Sequence, residues 1–247
     1  MPDGDAMNSK CYVVPTRLAC NADCWFCSAK QYSIQSGVEV MPPDDRFQAN
    51  LDVLGAAGIR RLELTGGGEP FLNTRLSDII SSIRIHSPVS YIKLYTNGSI
   101  LRQIVPVDEL NISRAHWNDS VNQAIMRFAN HAVPTLETSV AFFRGLGCKR
   151  VRLSIALMRA GIESPEDLDE FVRRTGGFVD EYVVRPLYPI TPSVDERYRD
   201  FEYNSDRVVF DREACCHVAE PLIWAADNKF YNDWSLGTPV THVTGDR

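Results

Sequence analysis

The chain has 247 residues, with 26 basic against 32 acidic side chains and a formal net charge of −6. Hydrophobic residues make up 44% and charged residues 23%, a globular balance that excludes a disordered tail protein, a collagen-like fibre and a coiled coil. A net negative chain is poorly suited to gripping nucleic-acid backbones, and no apolar run approaches the roughly 18 residues of a membrane span.

Met1 to Lys10 is polar and lacks the apolar core of a signal peptide, so the expected location is the cytoplasm, where thiols stay reduced. Tyr12 to Thr16 is a short β-like run. Asp44-Asp45 opens a helix with Phe47, Leu51, Leu54 and Ala57 on one stripe, stopped by Gly58. Arg60 to Thr65 alternates as a strand and runs into three glycines. Leu76, Ile79, Ile80 and Ile83 mark the next helix, and Tyr91–Tyr95 and Leu110–Ser113 the next strands. Helical sequence from about 118 to 146 is interrupted at Pro134. Val151–Leu157 is β-like, and Ser164-Pro165-Glu166-Asp167 supplies a helix N-cap, a first-turn Pro and first-turn acids. Tyr182-Val183-Val184 ends the series. Six strand-helix units at roughly 30-residue spacing predict an α/β fold of parallel strands with crossover helices.

Beyond residue 190 the rhythm breaks. Arg197–Arg212, with Arg197, Arg199 and Arg207, reads as an irregular solvated face, and 220–234 as a small hairpin around Asp227-Asn228. Trp224, Phe230, Tyr231 and Trp234 read as an apolar cluster. The expected organisation is a tail over 1–11, the βα region over 12–190 and an extension over 191–247 packed on it.

Seven cysteines are an odd number, and three of them crowd into eight residues, a poor layout for a disulfide framework. Cys20-Asn21-Ala22-Asp23-Cys24-Trp25-Phe26-Cys27 has the spacing C-x3-C-x2-C. Three thiolates on one loop reach three corners of an iron–sulfur cubane, which normally takes four cysteines. The uncovered iron is then an open coordination site, as catalysis requires. A zinc site completed by a distant Cys or His is the alternative.

This segment, with aromatic Phe26 before the third cysteine, resembles the signature of the radical S-adenosylmethionine (SAM) superfamily. The resemblance implies that Cys20, Cys24 and Cys27 hold a [4Fe–4S] cluster whose open iron chelates SAM. The reduced cluster would cleave SAM to a 5′-deoxyadenosyl radical that takes a hydrogen atom from substrate. Gly67-Gly68-Glu69-Pro70 resembles the family's glycine motif at the second strand end, which contacts the SAM amino group. Tyr95-Thr96-Asn97-Gly98 resembles the Thr-Asn-Gly of the third strand end, implying Asn97 toward SAM and Thr96 toward substrate. Ser113 falls where the family places a serine against SAM. Val151-Arg152-Leu153-Ser154 resembles the fifth strand of the molybdenum-cofactor-biosynthesis and quinone-cofactor branch, where the Arg152 position meets substrate. Leu187, after Arg185-Pro186, falls where an apolar residue packs on adenine. The implied fold is an incomplete (βα)6 parallel barrel with a short C-terminal extension.

Other residues are less specific. Arg114-Ala115-His116-Trp117-Asn118-Asp119 follows the fourth strand, where His116 is a candidate acid–base group or part of a solvated helix start. The family's Ser-Leu-Asp is replaced here by Ser113-Arg114-Ala115. Arg114, Arg152 and Arg185 are candidates for anionic substrate groups. Cys215-Cys216 is too sparse for a clear auxiliary-cluster domain, and either thiol is a candidate hydrogen-atom donor. Cys11 and Cys148 read as ordinary thiols, Cys148 as a small buried residue.

The expected function is hydrogen abstraction from a small sugar- or nucleotide-like metabolite, with a flavodoxin- or ferredoxin-like one-electron donor and neither nucleic acid nor membrane as partner. Rival readings are modification of a ribosomally made peptide, which requires a docking domain from a separate protein, and activation of a glycyl-radical enzyme. A non-enzyme scaffold or electron carrier leaves Gly67–Pro70 without a role.

Overall fold

Strand parity builds the scaffold. In β5 (Arg150–Leu157) every second residue is fully buried, and Val151, Leu153, Ile155 and Leu157 face the helices while Arg150, Arg152, Ser154 and Ala156 take the other face. In β1 (Lys10–Val13), β2 (Arg61–Leu64), β3 (Tyr91–Thr96) and β4 (Glu109–Arg114) residues of both faces are buried, and these four strands, β5 and β6 (Glu181–Pro186) are parallel neighbours in chain order. The computed structural model describes residues 10–16, 20–31, 40–129, 132–186, 201, 203–210, 221–233, 235–241 and 243.

Helices between the strands follow their sequence signals. In α2 (Asp45–Ala56) Asp44 caps the Phe47 N–H at 2.9 Å, with Phe47, Leu51 and Leu54 buried. The short α1 (Ser28–Gln31) follows the cysteines, and α3 (Leu76–His86) buries its expected stripe. Pro134 separates α4 (Asp119–Met126) from α5 (Leu136–Gly145), capped by Asn118 and Thr135. In α6 (Pro165–Thr175) Ser164 and Asp167 close a reciprocal capping box.

Three further strands extend this core. β7 (Val208–Phe210) joins β6 in parallel, inside a stretch that the sequence reads as irregular; three residues are too few to display a period. The hairpin of β8 (Ile223–Trp224) and β9 (Phe230–Tyr231) is antiparallel, and β8 runs parallel to β1. Trp224 is fully buried, its ring 4.5 Å from Phe47 and 5.9 Å from Phe230. The sheet order is β7-β6-β5-β4-β3-β2-β1-β8-β9, and among the described residues no ladder closes β7 on β9. The result is the expected open α/β barrel, with two strands beyond the hairpin-free six-strand core on its β1 side and one on its β6 side.

The inner face is charged rather than aliphatic. Lys93 lies 3.0 Å from Glu109, Arg152 lies 3.0 Å from Glu109 and 2.6 Å from Glu181, and Arg61 lies 2.9 Å from Glu63. The hydroxyls of Tyr91 and Tyr95 donate to Glu109 and Glu63 at 2.6 and 2.8 Å. Opposite charges on adjacent strands offset the desolvation of each group. Above this layer lie the carboxyl ends of the strands, where α/β folds place their sites.

Candidate active site

The glycine turn leaves β2 with φ of +77° at Gly66, +69° at Gly67 and +149° at Gly68. A Cβ on Gly67 would stand 2.0 Å from the Thr16 carbonyl oxygen and 2.8 Å from Val14. Only glycine lets this backbone lie against the end of β1. Glu69 follows at 2% exposure. One of its oxygens accepts from Thr96 Oγ1 at 2.7 Å and Phe71 N at 3.2 Å, and the other from Asn97 N at 2.7 Å. Burial pushes its carboxyl up to about 7 against the pull of these donors. Glu69 therefore ties the glycine turn to the end of β3.

The cysteine loop docks between β3 and α4. Ala22 forms an antiparallel bridge with Phe128, Asp23 N donates to Met126 O at 3.1 Å, and Ala129 N donates to Asn21 O at 3.0 Å. Cys24 Sγ lies 3.5 Å from Met126 O. Lys30 pairs with Asp23 and donates to Cys24 O at 3.2 Å. Asn97 Nδ2 donates to Asn21 Oδ1 at 2.9 Å and lies 3.6 Å from Cys20 Sγ, while Asn97 Oδ1 accepts from Ser99 N at 3.0 Å. Asn21 Nδ2 donates in turn to Ser99 Oγ at 2.7 Å. Asn21 and Ser99 belong to no motif of their own; their signal in the sequence is a short polar side chain next to Cys20 and two residues after Asn97.

The donor set fits an iron–sulfur cluster. Burial, then the negative charge of neighbouring groups including the other thiols, pushes Cys20 up to about 11 and Cys24 up to about 12. Thiolates in this apolar setting require an added cation, and a cluster supplies one. A cubane takes cysteines at separate corners, and Cys20, Cys24 and Cys27 are three thiols of one short segment. Phe26 packs with Cys20 and Cys24 against Ala22, Ala115, Ile125 and Met126.

The remaining expected residues divide by strand face. Ser113 lies on the inner face in register with Ser154, whose hydroxyl accepts from Arg185 at 3.2 Å. Thr96 is in register with Ile112 on the helix-facing side, and its hydroxyl serves Glu69 and Gly98 N. Arg114 is buried on that same side and pairs with Asp119 at 2.7 Å. Arg152 is on the inner face, but its guanidinium is taken by Glu109 and Glu181. His116 Nδ1 accepts from Asn118 N at 3.0 Å, and burial, then the Arg114 charge, lowers its pKa. Cys11 and Cys148 are buried. Leu187, Cys215, Cys216, Arg197, Arg199 and Trp234 lie outside the described residues.

Comparison with known proteins agrees with this geometry. The family model described as "Radical SAM superfamily" matches residues 14–174. A GTP 3′,8-cyclase of Stenotrophomonas maltophilia (strain R551-3) is 26% identical over 149 residues, 57% of this chain and 44% of that protein. One from Limosilactobacillus fermentum is 26% identical over 167 residues, 63% of this chain and 47% of that protein. The chain thus spans about half the length of the curated relatives it matches. Among solved structures, Streptococcus suis SuiB bound to S-adenosylmethionine superposes with a TM-score of 0.67 at 13% identity, over 96% of this chain and 63% of that one. Native anSMEcpe with bound AdoMet superposes with a TM-score of 0.61 at 12% identity, over 93% of this chain and 75% of that one. No described helix is long and apolar enough to cross a membrane.

Proposed function

The chain belongs to the radical SAM superfamily, and from that premise we propose that it is an enzyme removing hydrogen from a small, polar, nucleotide-like substrate. Membership brings a [4Fe–4S] cluster and SAM, and we assign the cluster to Cys20, Cys24 and Cys27. The observation that carries the assignment is the joining of this three-thiol loop, through Asn97 and Glu69, to the glycine turn at the strand ends.

When bound, cluster and SAM supply one-electron cleavage of the sulfonium and a carbon radical that takes the hydrogen atom; the chain's own residues bind, orient and shield. Both oxygens of Glu69 are engaged within the protein, so the backbone groups of Gly66–Gly68 present the hydrogen-bonding edge to the SAM amino group. Glu69 holds that edge in place. Ser113 and Ser154 carry hydroxyls on the inner face, toward SAM and substrate. Arg185, steadied by Ser154, meets an anionic group of the substrate. Arg152 acts one step behind by fixing the floor through Glu109 and Glu181, and Arg114 by bracing the turn that carries His116. The Nδ1 atom of His116 takes the Asn118 N–H, which leaves Nε2 for a proton. The nucleotide-like class is supported by the GTP 3′,8-cyclase relatives.

The test adds GTP, a free sugar phosphate or a short peptide to reduced, cluster-loaded enzyme with SAM and measures 5′-deoxyadenosine. Stimulation by the nucleotide, with hydrogen carried from it into 5′-deoxyadenosine, is the expected result. Stimulation by the peptide alone would overturn the substrate class.

A further inference from the structure

The Asn97 carboxamide sits in a closed ring of hydrogen bonds. Its Nδ2 donates to Asn21 Oδ1 at 2.9 Å, Asn21 Nδ2 donates to Ser99 Oγ at 2.7 Å, and Ser99 Oγ donates back to Asn97 Oδ1 at 2.5 Å. The Ser99 backbone N–H also reaches Asn97 Oδ1, at 3.0 Å. A backbone N–H can only donate, so Oδ1 must face Ser99 and Nδ2 must face the cysteine loop. Nδ2 has two hydrogens, and the ring uses one. The other is left for Cys20 Sγ, 3.6 Å away. Asn97 is buried, so water competes little for this contact, and the ring polarises it further.

The neighbouring thiols are not treated alike. Cys20 meets the Asn97 amide and the Ala22 backbone. Among the described residues no side chain donates to Cys24 Sγ, which lies instead 3.5 Å from the Met126 carbonyl oxygen. A thiolate that accepts an N–H bond has part of its negative charge offset. Reduction of a cluster adds negative charge, so such a donor favours the reduced state.

We propose that Asn97, through the N–H it directs at Cys20, raises the reduction potential of the cluster, a reading that rests on the cluster assignment above. Asn97 acts through a ligand and is a positioning residue. The amide keeps its hydrogen in both oxidation states, and no atom transfers.

The experiment titrates reconstituted, SAM-free enzyme against potential and follows the reduced cluster by electron paramagnetic resonance. Asn97→Ala is expected to titrate about 59 mV below the parent, a tenfold change in the oxidised-to-reduced ratio at a fixed potential. Asn21→Ala opens the same ring but leaves the contact to Cys20. It is expected to lose iron on desalting, as a loosened loop would, while the cluster it keeps titrates with the parent. With 15N placed in the asparagine side-chain amides, the reduced parent is expected to show a 15N coupling to the cluster. That readout needs no variant to fold or load. A parent without the coupling, or an Asn97→Ala potential equal to the parent's, would overturn the role of the amide. So would an equal drop in Asn21→Ala, because order in the loop then sets the potential. A coupling that vanishes from the parent when SAM is added would also overturn it, since the amide then serves SAM. A parent that takes up no cluster overturns this reading and the cluster assignment together.

Discussion

Glu69 and Asn97 are joined by a 2.7 Å hydrogen bond from the Asn97 backbone to the buried carboxylate. Through its side chain the same asparagine grips the cysteine loop at Asn21 and Cys20. Two loops 40 to 50 residues apart in sequence are thereby held on one strand end. One residue sets the distance between the cluster ligands and the glycine turn.

Asn97→Ala should therefore loosen the cluster loop more than the fold. Losing the bonds to Asn21 and Ser99 costs about 1–3 kcal/mol, measurable as a shift in the urea midpoint. Iron retained after desalting should fall well below the parent's. Full iron retention with a weakened fold would mean that the clamp acts on stability alone.

Gly67 and Gly58 offer a matched pair. Both have positive φ, but a Cβ on Gly67 strikes the Thr16 carbonyl whereas nothing lies within 4 Å of one on Gly58. Gly58→Ala should cost about 1 kcal/mol, the ordinary left-handed penalty. Gly67→Ala should cost at least about 3 kcal/mol, because backbone atoms must move, and should abolish SAM binding in equilibrium dialysis. Equal costs in denaturant titrations would show that the turn does not press on β1.

Glu109 governs the acid limb of stability. Burial alone would raise its carboxyl, but Lys93, the Tyr91 hydroxyl and Arg152 outweigh it and hold the group at about 2, below its ordinary 4.5. A depressed carboxylate contributes stability above its unfolded pKa and loses it as pH falls through the folded value. The window is thus pH 4.5 down to about 2, with a contribution of up to about 3 kcal/mol. Glu109→Gln should be about 3–5 kcal/mol less stable at neutral pH, since Lys93 and Arg152 lose their charge partner. Its stability should also vary less across that window, and parallel parent and variant curves would contradict the assignment.

Much of this was legible in sequence because it is local. Strand alternation, the caps at Asp44 and Ser164, the C-x3-C-x2-C loop and Gly67–Pro70 are patterns within a dozen residues. What was not legible depends on partners far along the chain. Parity could place Arg152 on the inner face, but its capture by Glu109 and Glu181 needed the β4–β5–β6 register. Thr96 reads as a strand-end hydroxyl, yet its register with Ile112 turns it to Glu69. The three-residue β7 was hidden because it is too short to show a period.

Arg185 separates substrate recognition from SAM chemistry. Arg185→Met should raise KM for an anionic substrate about tenfold or more, through loss of a charge-assisted hydrogen bond. SAM cleavage without substrate should stay at the parental rate. An unchanged KM would remove Arg185 from substrate recognition.

Anaerobic reconstitution with iron and sulfide, followed by SAM and dithionite, tests the three-thiol cluster site most directly. About four irons per chain and formation of 5′-deoxyadenosine are expected, both lost in Cys24→Ala. A chain that binds zinc or about two irons and releases no 5′-deoxyadenosine would contradict it.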